Sequence, residues 1–122
     1  MITASFAAMM MAEQGAKVIK VEPMNVGDPM RYIGANKGGI SSLFANCNRG
    51  KQSIRVNLKE PEGQELIREL IPQVDIFIHN FRPGVMDKLN LGSEALRGLN
   101  PRLIYAAISG FGKEGPLGRA PA

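Results

Sequence analysis

The chain has 122 residues, of which 44% are hydrophobic and 21% are charged. This composition is typical of a soluble globular domain with one core, and it excludes a disordered or collagen-like chain. The net charge is +4, but the basic residues are dispersed and only 6% of the residues are aromatic. Proteins that bind nucleic acids usually gather their basic residues on one stripe, so the charge favours a small anionic ligand instead.

Cysteine usage and hydropathy indicate a cytoplasmic protein without a membrane segment. Cys47 is the single cysteine, so no internal disulfide can form. The apolar segment 2–12 has no basic residues before it and is closed by Glu13, well short of the ~20 residues that cross a bilayer. We interpret this segment as a buried helix.

Two helices are predicted from propensity, caps and periodicity. Residues 4–14 have good helix propensity, and Gly15 follows where a left-handed carboxyl cap is expected. A second helix begins at Pro61, whose fixed φ suits the first helical turn, and Pro72 ends it. Its apolar stripe is formed by Leu66, Ile67, Leu70 and Ile71.

Shorter helical pieces are predicted in two further places. The segment 23–51 is rich in Gly, Pro and Asn, and residues 40–46 within it favour one or two helical turns. Ser93 is expected to accept a backbone hydrogen bond at the start of a short helix that runs through Leu96. Asn100 and Pro101 close that helix.

Four runs predict strands, at residues 17–22, 53–58, 75–79 and 103–109. Strands that alternate with amphipathic helices are typical of βαβ units, because parallel strands need a crossover connection. We predict an α/β fold, an incomplete doubly wound (Rossmann-like) parallel sheet with flanking helices, in a single partial domain over residues 1–122. A helix that opens such a domain usually follows a strand, so we expect a further strand before Met1.

The residues that follow these strands are candidates for a binding site, because open parallel sheets bind ligands at the carboxyl ends of their strands. Arg31, Lys59, Arg82 and Lys88 are expected to converge on one rim, where they could bind phosphate groups through charge-assisted hydrogen bonds. The ring of Phe81 could meet a base. The alternative interpretation is that these charges are scattered over a solvated surface.

Other patterns are interpreted as structural. The string GFGKEG at 110–115 has the glycine spacing of a dinucleotide site, but Pro116 and Gly118 follow it and prevent a helix from starting there. His79 and Cys47 lack partners at metal-ligand or triad spacing, so both are interpreted as packing residues. Asp28 is interpreted as a turn residue near Arg31, and no metal site or catalytic set is predicted.

Several strings, in this order along nearly the whole chain, resemble motifs of the family III CoA-transferases. They are GAKVIKVE followed by GDPMR, NCNRGKQSI with LKEPEGQELI, VDIFIHNFRPGVMDKLNLG, and LNPRLIYAAISGFGKEGP. The family includes formyl-CoA transferase, carnitine CoA-transferase and α-methylacyl-CoA racemase. The resemblance implies an α/β domain that binds the adenosine and phosphates of coenzyme A at the strand ends.

The resemblance also implies roles for individual residues. Val56 and Lys59, with Asn57 between them, match the segment beside the adenine and its ribose phosphate. Asn80 and Phe81 match the pair that contacts the nucleotide and the pantetheine arm.

Three cations complete the implied coenzyme A site. Lys88 falls where some relatives carry an Arg, and Arg31 and Arg82 are expected to contact phosphates. Pro23 departs from the pattern, because it stands where some relatives carry a basic residue, and that leaves one phosphate contact without a match.

The resemblance further implies a reaction between acyl-CoA and a carboxylic acid. Family transferases use an Asp nucleophile that forms a mixed anhydride and then an aspartyl-CoA thioester, whereas racemase relatives use His and Asp for proton transfer. Both sets match positions beyond residue 122, so we expect the chain to be inactive alone. Family members form interlocked dimers, which implies a homodimer.

The leading hypothesis is therefore the amino-terminal, coenzyme A-binding portion of a family III CoA-transferase. The nearest alternative is the matching portion of a racemase. A non-enzymatic module that self-associates and a basic nucleic-acid binder are alternatives of other classes.

Overall fold

The computed structural model describes residues 2–118 and residue 120, which form two compact units divided in sequence between Asn57 and Leu58. The first unit contains α1 (Ile2–Glu13), β1 (Val18–Glu22), a 3₁₀ turn (Pro29–Tyr32), β2 (Asn36–Lys37), β3 (Ile40–Ser41), α2 (Ser42–Asn48) and β4 (Lys51–Arg55). The second contains α3 (Pro61–Leu70), a 3₁₀ turn (Ile71–Gln73), β5 (Ile76–His79), α4 (Val85–Lys88), α5 (Ser93–Leu99) and β6 (Ile104–Ala107). The predicted α/β class, with short parallel sheets flanked by helices, is confirmed. The strand expected before Met1 lies outside the described residues.

In the first unit, β1 and β4 pair in parallel, with Val18 opposite Lys51. The predicted strand at 53–58 was displaced, because β4 begins two residues earlier and ends at Arg55. The physical reason is Lys51, whose Nζ donates to the carbonyl oxygens of Ser5 at 2.6 Å and Cys47 at 2.8 Å and thereby anchors the start of the strand. The pattern of apolar residues could not predict this anchor, because it consists of a lysine side chain and two backbone carbonyl groups.

Helix α1 ends as its sequence predicts. Gly15 has a φ of +99°, the Ala16 N–H donates to the Met11 carbonyl, and the Gly15 N–H donates to the Ala12 carbonyl, which together form a Schellman cap. The helix buries Ala4, Ala8 and Met9. On another face it leaves three side chains 44–47% exposed at a spacing of four residues, namely Ile2, Phe6 and Met10.

Strands β2 and β3 form an antiparallel hairpin within the segment 23–51. Its turn consists of Gly38 and Gly39, both with positive φ, as a two-residue hairpin loop of type I′ requires. Strand β3 leads directly into α2. At this junction the Ser41 hydroxyl accepts from the Phe44 N–H and donates to the Ile33 carbonyl. The helix covers 42–48 rather than the predicted 40–46, because Ser41 caps it.

A buried carboxylate fixes the carboxyl end of β1. Glu22 is 1% exposed and accepts hydrogen bonds from Arg31 Nε and Nη2 at 2.9 and 2.8 Å, from the Ser53 hydroxyl at 2.7 Å and from the Asp28 N–H at 2.8 Å. The Arg31 guanidinium also lies 3.9 Å from the centroid of the Phe44 ring. Burial raises the pKa of Glu22, but the hydrogen bonds from Arg31 above all, and from Ser53 and the Asp28 backbone, lower it by more. The net effect holds the pKa of Glu22 at about 2.

The turn between Glu22 and Arg31 is shaped by Gly27 and Asp28. Gly27 has a φ of +67°, and a Cβ there would lie 2.8 Å from Glu22 Oε2, so only glycine fits. Asp28 accepts from the Met30 N–H and pairs with Lys20 at 2.5 Å, in keeping with its interpretation as a turn residue. Residues of the motif GDPMR therefore surround the carboxylate of Glu22.

In the second unit, β5 and β6 pair in parallel, with Ile76 opposite Ile104 and His79 opposite Ala107. The ladder continues one step further, since the Ile108 N–H donates to the His79 carbonyl at 2.9 Å. Both strands lie inside their predicted ranges. Their parallel direction, which the alternation of helices and strands predicts, is confirmed.

The helices of the second unit differ in part from prediction. In α3 the predicted stripe is only partly buried, because Ile67 and Ile71 are 4% and 1% exposed whereas Leu66 is 44% exposed. Helix α4 was not predicted. The expected cap at Ser93 was wrong, because Gly92 has the extended backbone of the cap residue and Ser93 is the first helical residue.

We predict that Ile71→Ala lowers the free energy of unfolding by about 2–5 kcal/mol, because it leaves a cavity in the core. The matched control is Leu66→Ala on the neighbouring helix, whose exposed side chain should contribute less than about 1 kcal/mol. Urea denaturation measures both. Equal losses for the two variants would contradict the assignment of the buried face.

We predict that Glu22→Gln removes an acid-sensitive part of the stability. The pKa is about 2 in the folded state and near 4.5 in the unfolded chain, so Glu22 contributes about 3 kcal/mol above pH 4.5 that is lost as the pH falls towards 2. Urea denaturation between pH 2 and pH 7 should therefore show a smaller loss in the variant than in the wild type.

The control for this change is Glu65→Gln, because Glu65 forms an ion pair with Arg68 while its side chain is 66% exposed. Such a surface pair is expected to contribute less than about 1 kcal/mol. If Glu22→Gln and Glu65→Gln had the same pH profile, Glu22 would have no special role.

Candidate functional site

A small cleft lies where the loops that follow β5 and β6 meet. It is lined by residues 80–83 of the first loop and residues 109–112 of the second, together with residues 118 and 120. Its volume is ≈ 90 Å³, below the roughly 300–1,000 Å³ of a complete small-molecule site. This cleft can therefore hold one group of a larger ligand. Parallel pairing explains its position, because it brings both strand ends to one edge.

The side chains around the cleft combine apolar rings with polar groups. Phe81 and Phe111 are 47% and 48% exposed, so the faces of two aromatic rings are accessible to a ligand. Asn80, which carries an amide, and Arg82, which carries a guanidinium, line the same cleft. An aromatic face beside a cation and an amide suits a flat or slender ligand that carries negative charge.

His79 is the last residue of β5 and directly precedes Asn80, which lines the cleft. It is 9% exposed, and its Nδ1 accepts a hydrogen bond from the Phe81 N–H at 3.2 Å. Burial lowers the pKa of His79 and the charge of Lys113 lowers it further, although Asp87 acts in the opposite direction. The imidazole is therefore neutral near pH 7, and its burial is what the interpretation of His79 as a packing residue predicts.

The predicted site residues fall into distinct environments. Asn80, Phe81 and Arg82 are brought together at the cleft. Lys88 is exposed at the end of α4 and does not line the cleft.

The remaining candidates lie elsewhere. Val56 is buried, and Asn57 and Lys59 are exposed, with the division between the two units falling between Asn57 and Leu58. Arg31 is held in the ion pair with Glu22. The convergence of Arg31, Lys59, Arg82 and Lys88 on one rim stays a prediction.

Sequence reasoning missed the carboxylate of Glu22 and the contact between His79 and Phe81. Glu22 closes a strand and is followed nine residues later by Arg31, and that spacing could have suggested an ion pair across the turn. In the second contact, the His79 side chain accepts a hydrogen bond from the backbone N–H two residues later. This local pattern is known for Asn and Asp but is not expected for His.

The structural interpretations of the string 110–115 and of Cys47 agree with the fold. Residues 110–118 form bends and turns without a helix, and Cys47 is buried. Within residues 2–118 and 120 there is no group of three or more potential metal ligands. Among the helices of this part of the chain, none is long and apolar enough to cross a membrane.

Comparison with curated proteins gives relatives of one kind. The chain is 44% identical over 117 residues to an acetyl-CoA:oxalate CoA-transferase from Acetobacter aceti, with 96% of this chain and 30% of the relative covered. It is 46% identical over 112 residues to a succinyl-CoA–D-citramalate CoA-transferase from Chloroflexus aurantiacus, with coverage of 91% and 28%. The chain thus spans less than a third of the length of these relatives.

Solved structures agree with this similarity. A CAIB/BAIF family protein from Brucella suis superimposes with a TM-score of 0.91 at 38% identity, over 99% of this chain and 33% of that one. The model of the family described as CoA-transferase family III matches residues 1–122. With a match over its whole length, this chain belongs to the family III CoA-transferases.

Proposed function

We propose that this chain supplies part of the coenzyme A site of an enzyme that moves CoA between carboxylic acids. The observation that carries the proposal is the cleft at the ends of β5 and β6, where Asn80, Phe81 and Arg82 meet the loop 109–112. The relatives named above are CoA-transferases, which supports acyl-CoA and a carboxylic acid as the substrates of the whole enzyme. It also favours transfer over racemisation.

Each residue of the cleft has a distinct proposed role. Arg82 forms charge-assisted hydrogen bonds to a phosphate, and Lys88 adds positive charge nearby in sequence. The exposed ring of Phe81 packs against the nucleotide or the pantetheine arm, and the Asn80 amide hydrogen-bonds to it. Because the cleft holds only one group, the rest of coenzyme A needs further contacts.

Those further contacts are proposed at Val56, Asn57 and Lys59, which match the family segment beside the adenine and its ribose phosphate. Arg31 is proposed as a weaker contact, because its guanidinium already binds Glu22 through two nitrogens. Its charge is therefore largely neutralised before a phosphate arrives.

The proposal extends to assembly and location. The exposed apolar stripe of α1, formed by Ile2, Phe6 and Met10, supports association with another copy of the chain, and we propose a cytoplasmic homodimer. The same stripe favours a second candidate function, a self-associating module without enzymatic activity. Size-exclusion chromatography with CoA distinguishes the two, because a chain that binds CoA carries the absorbance of the nucleotide in its protein peak, whereas a pure assembly module does not.

We predict that the 122-residue chain binds coenzyme A and that Arg82→Ala weakens the binding roughly 10- to 100-fold, the loss expected for one charge-assisted bond. Isothermal titration calorimetry at about 50 mM and about 500 mM NaCl measures both the affinity and its salt dependence. Higher salt should reduce the wild-type affinity more than that of the variant.

The matched control is Arg97→Ala, which removes an exposed arginine of α5 away from the cleft lining. It should bind coenzyme A as the wild type does. If the wild type did not bind coenzyme A, the proposal would be wrong. An equal loss in both arginine variants would mean that only the overall charge matters.

A further inference from the structure

His79 is held in place from three sides at the end of β5. Its ring centroid lies 5.3 Å from that of Tyr105 in an edge-on arrangement and 6.0 Å from that of Phe77. The Tyr105 hydroxyl donates to the Leu91 carbonyl, which fixes that ring in turn. The backbone carbonyl of His79 accepts from the Ile108 N–H. The two aromatic rings and the bond from the Phe81 N–H to Nδ1 hold the imidazole in the orientation that the structure shows.

This orientation determines where the proton of the neutral ring resides. Because Nδ1 accepts from the Phe81 N–H, the proton must be on Nε2. Nε2 is buried and has no hydrogen-bond partner in the part of the chain that the structure describes.

The unpartnered Nε2 argues against a role in packing alone. A buried donor without an acceptor destabilises the fold, so a leucine or phenylalanine would fill the same space better. What only the imidazole supplies here is the acceptor at Nδ1. The N–H that it binds belongs to Phe81, the aromatic residue that enters the cleft.

We propose that His79 is a positioning residue for the cleft, whose neutral imidazole holds the Phe81 backbone, and with it Asn80 and the Phe81 ring, in the conformation that receives a group of coenzyme A. The proposal rests on the proposed function for its ligand. It extends that function by naming a residue that acts through its neighbour rather than by touching the ligand.

Protonation of His79 gives the proposal a measurable signature. The imidazolium carries an N–H at Nδ1, which would oppose the Phe81 N–H and break the bond. The charged groups that act on the ring are Lys113, which disfavours protonation, and Asp87, which favours it, and the Tyr105 ring packs against it edge-on. Together with burial they keep the ring neutral until the pH is acidic.

Two substitutions separate positioning from packing. His79→Asn keeps an acceptor that can bind the N–H two residues later, as in an Asx turn, but it does not titrate near neutral pH. His79→Leu fills the space and offers no acceptor. At pH 7.5, calorimetry with coenzyme A should show an affinity near that of the wild type for His79→Asn and roughly three- to tenfold weaker for His79→Leu, as expected for one neutral hydrogen bond.

The pH profile provides the second readout. Below the pKa of the imidazole, the wild type should bind coenzyme A more weakly than His79→Asn does at the same pH. The ratio of the two affinities is free of the ionisation of coenzyme A itself, because both proteins meet the same form of the ligand. His79 is the one histidine of the sequence, so its ring nitrogens give unambiguous NMR signals. Those signals should report an Nε2-protonated ring at pH 7.5, and the Phe81 amide resonance should move as the ring titrates.

The outcomes are separable. The inference would be wrong if His79→Leu had a native unfolding midpoint and bound coenzyme A with wild-type affinity. It would also be wrong if the Phe81 amide resonance did not shift as the imidazole titrates. If His79→Leu did not fold, the wild-type pH profile against His79→Asn would decide alone. If the wild type bound no coenzyme A, the proposed function would fail, and the Phe81 amide would still test whether His79 positions the loop.

Discussion

Parallel pairing between β5 and β6 is the constraint on which the candidate site depends. Two parallel strands end at the same edge, so the loops that leave them must share one space, and here that space is lined by residues 80–83 and 109–112. An antiparallel pair would have sent these loops to opposite ends. The helices α4 and α5, which lie between the two strands in sequence, form the crossover that makes the parallel direction possible.

The first unit uses the same pairing for a different purpose. The end of β1 presents a carboxylate, and the charges around it are satisfied internally by Arg31, Ser53 and the Asp28 backbone. A buried acid at such an edge could have been a catalytic group. Its pKa of about 2 argues against that, because a carboxylate so strongly stabilised in its ionised form is a poor proton carrier. Glu22 is better understood as the group that orders the turn after β1.

The sequence predicted most of the regular structure where local signals were strong. Gly15, Pro61 and the β-branched runs each act through their own backbone preferences, so the elements that they delimit appear where expected. The exact ends of helices and strands, and the partners of individual side chains, were harder to predict where they depend on groups distant in sequence. Lys51 starts β4 early because of carbonyls from two helices, Gly92 replaces Ser93 as a cap, and Arg31, expected at a phosphate, binds Glu22. Family resemblance predicted Asn80 and Phe81 as contacts for coenzyme A, whereas the hydrogen bond between His79 and Phe81 had no signal in the sequence.

The glycine turn between β2 and β3 has a practical consequence for work on this protein. Beyond the adjoining residues, no heavy atom of the described chain lies within 4 Å of the Cβ position at Gly38 or Gly39, and the Gly39 N–H donates to the Asn36 side chain of the same hairpin. Tips of this kind are tolerant points of insertion. A short peptide tag or a fluorescent label could enter the chain there, far in sequence from residues 80–82, and report on assembly while native contacts stay intact.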